Sequence, residues 1–435
     1  MFQSTIYTTE VATKMLEKLK RLLKNESIVG TAVVSGGLFV GSVASYITQI
    51  YLGRQLSVSE YGVFNSLLSI SVIIGVLGQT FTTSMVKTVA ELKAKNRFDT
   101  LTQLFWSSNV ISILAGLVVA TLVFLFQAPM ARFLNLSDRA VLIGFAVAMA
   151  FFFTRVAPFA YLQGLLRLKA FAFSNVLVNV ARLFAAVLGI WLGYTVGGIY
   201  TLIGITSILT FILFIAILQK NFSDYEKEPL NDHYTQILKF AWPVFFVQIG
   251  MILLNNIDII LVKHYFDEHT AGIYSGLVTV GKVYLFAANT VAVAMYPMIA
   301  SAFAKKEDYI KKLKPFLFMQ ILVILLGVVV FALFPRLIVH VMFGPAYEAA
   351  VEYLFKFIVF MGLYVMLNFM TMFLLAIEKT KVYLLQIPGT ILQTILIVLF
   401  HGDLHQVVDM NLITSIILFI GVLVYYSAAV RSSKV

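Results

Sequence analysis

Twelve long, unbroken apolar runs constrain this chain more than any other feature. They cover residues 29–52, 63–86, 101–126, 140–163, 171–192, 197–218, 239–262, 273–301, 313–334, 352–377, 382–400 and 410–430. A helix rises about 1.5 Å per residue, so about 20 apolar residues cross the roughly 30 Å hydrocarbon core of a bilayer. The runs are continuous, not alternating, which excludes the in–out pattern of a membrane β-barrel. Helices remain, because lipid offers no partner to an unpaired backbone amide. The gaps between runs reach 20 residues at most, too few for a separate catalytic domain. Composition agrees: 60% of the 435 residues are hydrophobic and 12% are charged, against about 25% charged in soluble domains. Soluble enzymes, nucleic-acid-binding domains and secreted disulfide scaffolds are excluded. The chain has no Cys, so thiolate metal sites and redox chemistry are excluded too.

A net charge of +11 would suggest a nucleic-acid partner in a soluble protein. Here it reports topology. Of the 32 basic residues, 23 fall on the side of the N-terminus, and five (Arg54, Arg132, Arg139, Lys263 and Arg336) fall on the other. Lys and Arg accumulate on the cytoplasmic side of a membrane protein. The split predicts a multi-pass protein of the cytoplasmic (inner) membrane with both termini in the cytoplasm. In the N-terminal segment, Val11, Met15, Leu19, Leu22 and Leu23 share one helical face, with Lys14, Lys18, Lys20, Arg21 and Lys24 elsewhere. That pattern predicts an amphipathic helix on an anionic membrane surface.

The halves resemble each other. Leu56-x4-Tyr61-Gly62-Val63-Phe64 matches Phe266-x4-Ala271-Gly272-Ile273-Tyr274 at an offset of 210. Phe133-x4-Asp138-x-Ala140-Val141 matches Phe343-x4-Glu348-x-Ala350-Val351 at the same offset. The expected organisation is a cytoplasmic amphipathic segment (1–27), an N-lobe of helices one to six (28–219) and a cytoplasmic linker (220–236). A C-lobe of helices seven to twelve (237–430) and a short tail (431–435) follow. Six spans per unit give both units the same orientation. Such parallel repeats are related by an axis along the membrane normal, with the substrate path between them.

Four basic residues, Arg155, Arg182, Lys282 and Lys356, and one acid, Asp258, lie inside the apolar runs. A buried charge costs at least about 2.5–3.5 kcal/mol on insertion scales, so each is a functional candidate. Lys282 lies near the midplane, Arg182 is similarly deep, and Arg155 sits beside Pro158. Lys356 is close enough to its span end to snorkel. Asp258, in Asn255-Asn256-Ile257-Asp258, is either a cation- or proton-coupling carboxylate, with Asn255 beside it, or an interfacial group satisfied by Lys263, His264 or water. Four cations to one anion suit a substrate bearing phosphate or pyrophosphate better than a cationic drug. Gly36, Gly37 and Gly41 give the first span a small-residue face, and Pro297 and Pro388 permit kinks. No phosphate-binding loop, serine-nucleophile elbow or zinc motif occurs in the sequence. The His401-x-Asp403-x-His405 spacing reads as a solvated loop.

These residues resemble a family. Leu52-Gly53-Arg54-Gln55-Leu56-Ser57-Val58-Ser59-Glu60-Tyr61-Gly62 is similar to the first outer loop of polysaccharide-export or O-antigen flippases of the Wzx type. Asp258-Ile259-Ile260-Leu261, Ala271-Gly272-Ile273-Tyr274-Ser275 and Pro297 resemble that family's seventh and eighth spans. Phe343-Gly344-Pro345-Ala346-Tyr347-Glu348-Ala349-Ala350 resembles its element before span ten. The superfamily also holds multidrug-and-toxin extruders and the lipid II flippase. The resemblance implies an all-α integral membrane fold of 12 transmembrane helices in two six-helix lobes related by a parallel pseudo-twofold. It implies a monomeric transporter, not an enzyme. The implied activity moves undecaprenyl-pyrophosphate-linked oligosaccharide to the outer leaflet by alternating access, beside polysaccharide polymerase or ligase machinery. No resident cofactor is expected, with H+ or Na+ as the coupling ion. Lys282 is the position that the resemblance carries over for holding the pyrophosphate, and the deep cations Arg182 and Arg155 are candidates beside it. The chain departs from the lipid II branch: the first span carries no charge between Ile28 and Gly53, and fourteen spans are not reached. Two other readings stand beside this one. A multidrug or small-molecule cation antiporter would want buried acids. A membrane glycan polymerase or ligase would want a large charged outer loop.

Overall fold

A computed structural model of the protein describes residues 26–219 and 229–431. The proposed amphipathic helix before residue 26 lies outside them. Every regular element among the described residues is helical. Among the described residues, eleven helices are long and apolar enough to cross a membrane. The first span, Glu26–Gln55, is 30 residues long, about 45 Å, and carries no charge between Ile28 and Gly53. The twelve spans alternate between a proximal face, which holds the start of the first, and a distal face, which holds Arg54. The chain is thus a multi-pass, all-α membrane protein with the expected spans.

The duplication is visible in the backbone. The second span, Val58–Ala94, and the eighth, Glu268–Ala304, are each 37 residues long and start and stop 210 residues apart. Both run well beyond the expected 63–86 and 273–301. Their starts carry side-chain caps: Ser57 forms a capping box with Glu60, and the Asp267 carboxylate accepts from the His269 and Thr270 amides. Such caps are worth about 1 kcal/mol each. Both stop at residues in the left-handed region, Asn96 (φ 54°) and Lys306 (φ 56°), again 210 apart.

The two lobes meet at the distal face through reciprocal contacts. Gly62 of the second span packs directly on the backbone of Gly272 of the eighth, leaving no room for a side chain. On one flank Arg54 Nε donates to the Met342 carbonyl (3.0 Å), and Tyr61 packs against Phe343 and Tyr347. On the other flank the Asn135 amide donates to the His264 carbonyl (2.6 Å), and Phe133 stacks on the His264 ring. Lys263, fully buried, reaches Glu268 (3.6 Å) and the Asn135 carbonyl (3.3 Å). Tyr61 Oη and Thr279 Oγ1 share a hydrogen bond between lobes (2.9 Å). The largest hydrophobic core runs through both lobes. Aromatic packing and buried hydrogen bonds therefore close the distal side.

The seventh span joins the lobes. It begins at Asn231 and breaks at Asn255–Asn256 into Asn231–Leu254 and Ile257–Tyr265. Its start packs into an N-lobe core beside Met85, Val89 and Tyr161, and Tyr234 Oη bonds Ser107 Oγ (2.7 Å). Higher up it packs on the eleventh span, where Thr390 donates to the Gly250 carbonyl (3.0 Å). The proline-bearing eighth span stays helical through Pro297. The sharp breaks fall in the fourth and seventh spans.

Candidate functional site

The break in the fourth span builds the first half of the site. The helix Val141–Ala150 gives way to a 3-10 turn, Phe152–Arg155, and restarts as Val156–Gly164. Pro158 explains the position. It has no N–H to offer the Thr154 carbonyl, and its ring crowds that carbonyl. Thr154 Oγ1 instead donates to the Phe151 carbonyl (2.7 Å). The turn leaves Arg155 at the start of the new helix.

Arg155 and Arg182, from the fourth and fifth spans, line one cavity inside the N-lobe. Spans one, two and six complete it. Ser45, Thr48 and Gln49 supply polar groups from the first, Ser71 from the second, and Thr206, Ser207 and Thr210 from the sixth. Gly37 and Gly41 lie against Ala172 and Asn175, which lets the first and fifth spans approach closely. No Asp or Glu lines the cavity. Arg155 stacks on the Phe152 ring (4.8 Å). Among the described residues neither guanidinium has a hydrogen-bond acceptor or an acidic partner, and the two lie within electrostatic range of each other. Ten N–H donors therefore converge on a space with nothing of opposite charge.

Lys282 lies elsewhere. It donates to Asn256 Oδ1 (2.9 Å), at the break in the seventh span. Its backbone carbonyl accepts from Tyr46 Oη of the first span (2.7 Å). Asp258, buried in the C-lobe, lies within its electrostatic reach. Asp258 accepts from Tyr274 Oη (2.6 Å), the Ile259 amide (2.9 Å) and Asn411 Nδ2 (3.3 Å). It is thus satisfied from the eighth and twelfth spans, not by Lys263 or His264. Lys263 pairs with Glu268, and His264 Nδ1 contacts the Phe133 carbonyl (2.6 Å). Asn255 is buried at the break beside Tyr364. The carbonyls freed by the break are taken up by side chains. Tyr364 donates to Met251 (2.9 Å), Gln393 to Leu254 (3.0 Å) and Asn256 to Ile252 (2.8 Å). Irregular backbone survives at membrane depth only when satisfied in this way.

Lys356, near its span end and about half exposed, pairs with Asp409 at 2.8 and 3.0 Å, in keeping with the expected snorkelling. His405 reaches Glu352 (2.9 Å), which joins the start of the twelfth span, Leu404–Arg431, to the tenth. The candidates thus divide. Arg155 and Arg182 share a pocket within one lobe, and Lys282, Asp258 and Asn255 gather around the break in the other. Sequence reasoning missed Asn256, Tyr274, Gln393 and Asn411 as members of that second group. Their one signal is a carboxamide or hydroxyl inside an apolar run.

Residues 27–303 match the sequence profile of the polysaccharide biosynthesis protein family. No curated protein is recognisably similar in sequence. Many solved structures are similar in fold, three of which show its range. One is the inward-facing conformation of a multidrug resistance MATE family transporter of the MOP superfamily, at 15% identity, 91% of this chain, 96% of that one and a TM-score of 0.73. The inward closed conformation of the lipid II flippase MurJ is similar at 16% identity, 91% and 87% coverage and 0.73. The third is a MOP superfamily transporter from Pyrococcus furiosus, described as having a binding pocket of reverse polarity, at 14% identity, 92% and 94% coverage and 0.59. The fold is therefore that of MATE-like, two-lobed MOP transporters. With the matched profile spanning well over half its length, this chain belongs to the polysaccharide biosynthesis protein family.

Proposed function

We propose that this protein flips a lipid-linked oligosaccharide, carried on undecaprenyl pyrophosphate, from the cytoplasmic to the outer leaflet. The observation that carries the reading is the pair Arg155 and Arg182, unpaired and facing one cavity without an acid, in a member of a polysaccharide biosynthesis family. Guanidinium groups bind phosphate oxygens in bidentate fashion, and a diphosphate would neutralise both. The hydroxyls around them suit the first sugar. A cationic drug would add a third positive charge to the same space, which argues against a cation antiporter. The Lys/Arg count supports an orientation with the proximal face in the cytoplasm.

Coupling is read at the other lobe. H+ or Na+ arriving at Asp258 would cancel the carboxylate's field at Lys282 and loosen its tie to Asn256. Lys282 would then be free to reach the substrate.

The test is flipping of a fluorescent polyprenyl-diphosphate oligosaccharide by reconstituted protein. Losing one charge-assisted contact costs about 1.5–3 kcal/mol, so Arg155→Gln and Arg182→Gln should each slow flipping about tenfold to a hundredfold. Wild-type rates in the double variant would refute the assignment. Lys282→Ala should also slow transport. Asp258→Asn should abolish stimulation by an imposed ion gradient while leaving slow, gradient-independent flipping.

A further inference from the structure

The intramembrane cations differ in how they are balanced. Lys282 has Asn256, and Lys356 has Asp409. Arg155 and Arg182 have no hydrogen-bond acceptor or acid among the described residues, and they share one cavity. Alternating access, on the flippase reading above, requires the carrier to return after the substrate has left. The cavity would then take two bare guanidiniums through the membrane side by side. Burying an uncompensated charge is strongly unfavourable, and two like charges in a low dielectric repel.

We propose that this pocket does not return empty. When the lipid-linked diphosphate departs, a small inorganic anion takes its place between Arg155 and Arg182 and is carried back. Chloride and inorganic phosphate share the needed chemistry: negative charge, small size and acceptance of several N–H and O–H donors. Ser45 lines the cavity too, while the Thr48, Ser71, Thr206 and Ser207 hydroxyls donate to carbonyls of their own helices, which leaves the guanidiniums as the principal donors. The protein is then an exchanger of a lipid-linked anion against a free one, and the free anion on the acceptor side sets the rate of the return leg.

Two experiments test this. Purified full-length protein is assayed for binding of radiolabelled chloride and radiolabelled phosphate, with inorganic pyrophosphate as competitor. Saturable binding, displaced by pyrophosphate and lost in Arg155→Gln/Arg182→Gln, is expected. The Arg155→Lys/Arg182→Lys variant should keep it in weakened form, which separates charge from misfolding. Flipping is then measured with chloride, phosphate or gluconate on the acceptor side. Gluconate should slow it at least about tenfold, the scale of losing one charge-assisted contact, and whichever small anion restores the rate is the one carried. Equal rates in all three, or binding that survives loss of both arginines, overturns the proposal. Anion binding without any glycan flipping would sink the flippase reading alone. In that case trans-stimulated efflux of radiolabelled chloride or phosphate from proteoliposomes decides the exchange: its presence sustains the proposal and its absence ends it.

Discussion

Asp258 shows how one buried carboxylate is kept in a membrane. Its two oxygens accept from a phenol, a carboxamide and a backbone amide. Replacing it by Leu strands the Tyr274 hydroxyl proton, at about 1–3 kcal/mol, while Asn411 keeps Tyr274 Oη as its acceptor (2.9 Å). Asp258→Leu should therefore unfold several degrees below wild type in a thermal-shift assay. Asp258→Asn keeps the shape and most of the bonds and should stay within about 1 kcal/mol. Asp267, in the turn before the eighth span, acts differently. The Thr270 hydroxyl, then the Thr270 and His269 amides, hold its carboxyl below the usual range. The sign follows: this cap stabilises above the ordinary carboxyl pKa and is lost as pH falls through the lowered value. Asp267→Ala should cost about 1 kcal/mol at neutral pH and nothing in acid, as read by thermal stability against pH.

At the scale of elements, the two broken helices do the positioning. Pro158 stops the fourth span where Arg155 must leave the helical ladder. Pro158→Ala restores the missing amide and favours a continuous helix, so it should swing Arg155 from the cavity. Anion binding should fall about tenfold or more while thermal stability holds or rises; unchanged affinity would show that the turn does not place Arg155. The seventh span breaks without proline. There a pair of asparagines and donors from spans ten and eleven replace the helical bonds. The segment at 335–343 and the one at 127–133 are short helices in corresponding loops. Each carries the phenylalanine that docks on the opposite lobe.

At the scale of the molecule, duplication makes the gate. Gly62 and Gly272 are the same residue of the two repeats, and they meet at the distal contact between lobes. A side chain on either would strike backbone, so Gly272→Leu should wedge that side open. The chain has no cysteine, which makes the measurement clean. Thr279→Cys, buried at the interface and bonded to Tyr61, should resist a membrane-impermeant thiol reagent. Combined with Gly272→Leu it should react. Protection unchanged by the wedge would mean that the glycine contact does not set closure. The two flanks of the gate differ, one aromatic around Tyr61 and Phe343, the other polar around Lys263 and Glu268. The symmetry is one of backbone more than of chemistry.

By itself the sequence determined the spans, the repeat and the charges worth attention. Each rests on a local rule: apolar length, a fixed offset, and the cost of a charge in lipid. Arg155, Arg182, Lys282 and Asp258 stand out for that reason. The polar neutral residues Tyr274, Gln393 and Asn411 do not, because single hydroxyls and amides are tolerated in a helix and gain meaning only from their neighbours. Lys356 looked isolated because Asp409 lies one residue before the last apolar run. The tertiary structure alone decided which charges share a space. It put Arg155 with Arg182 inside one lobe and Lys282 with Asp258 in the other, where the sequence suggests one site for Lys282, Arg182 and Arg155 together. The physical reason is that span boundaries follow from hydrophobicity along the chain. Partnership in the membrane follows from helix rotation, breaks and packing, which bring together residues as far apart as 258 and 411.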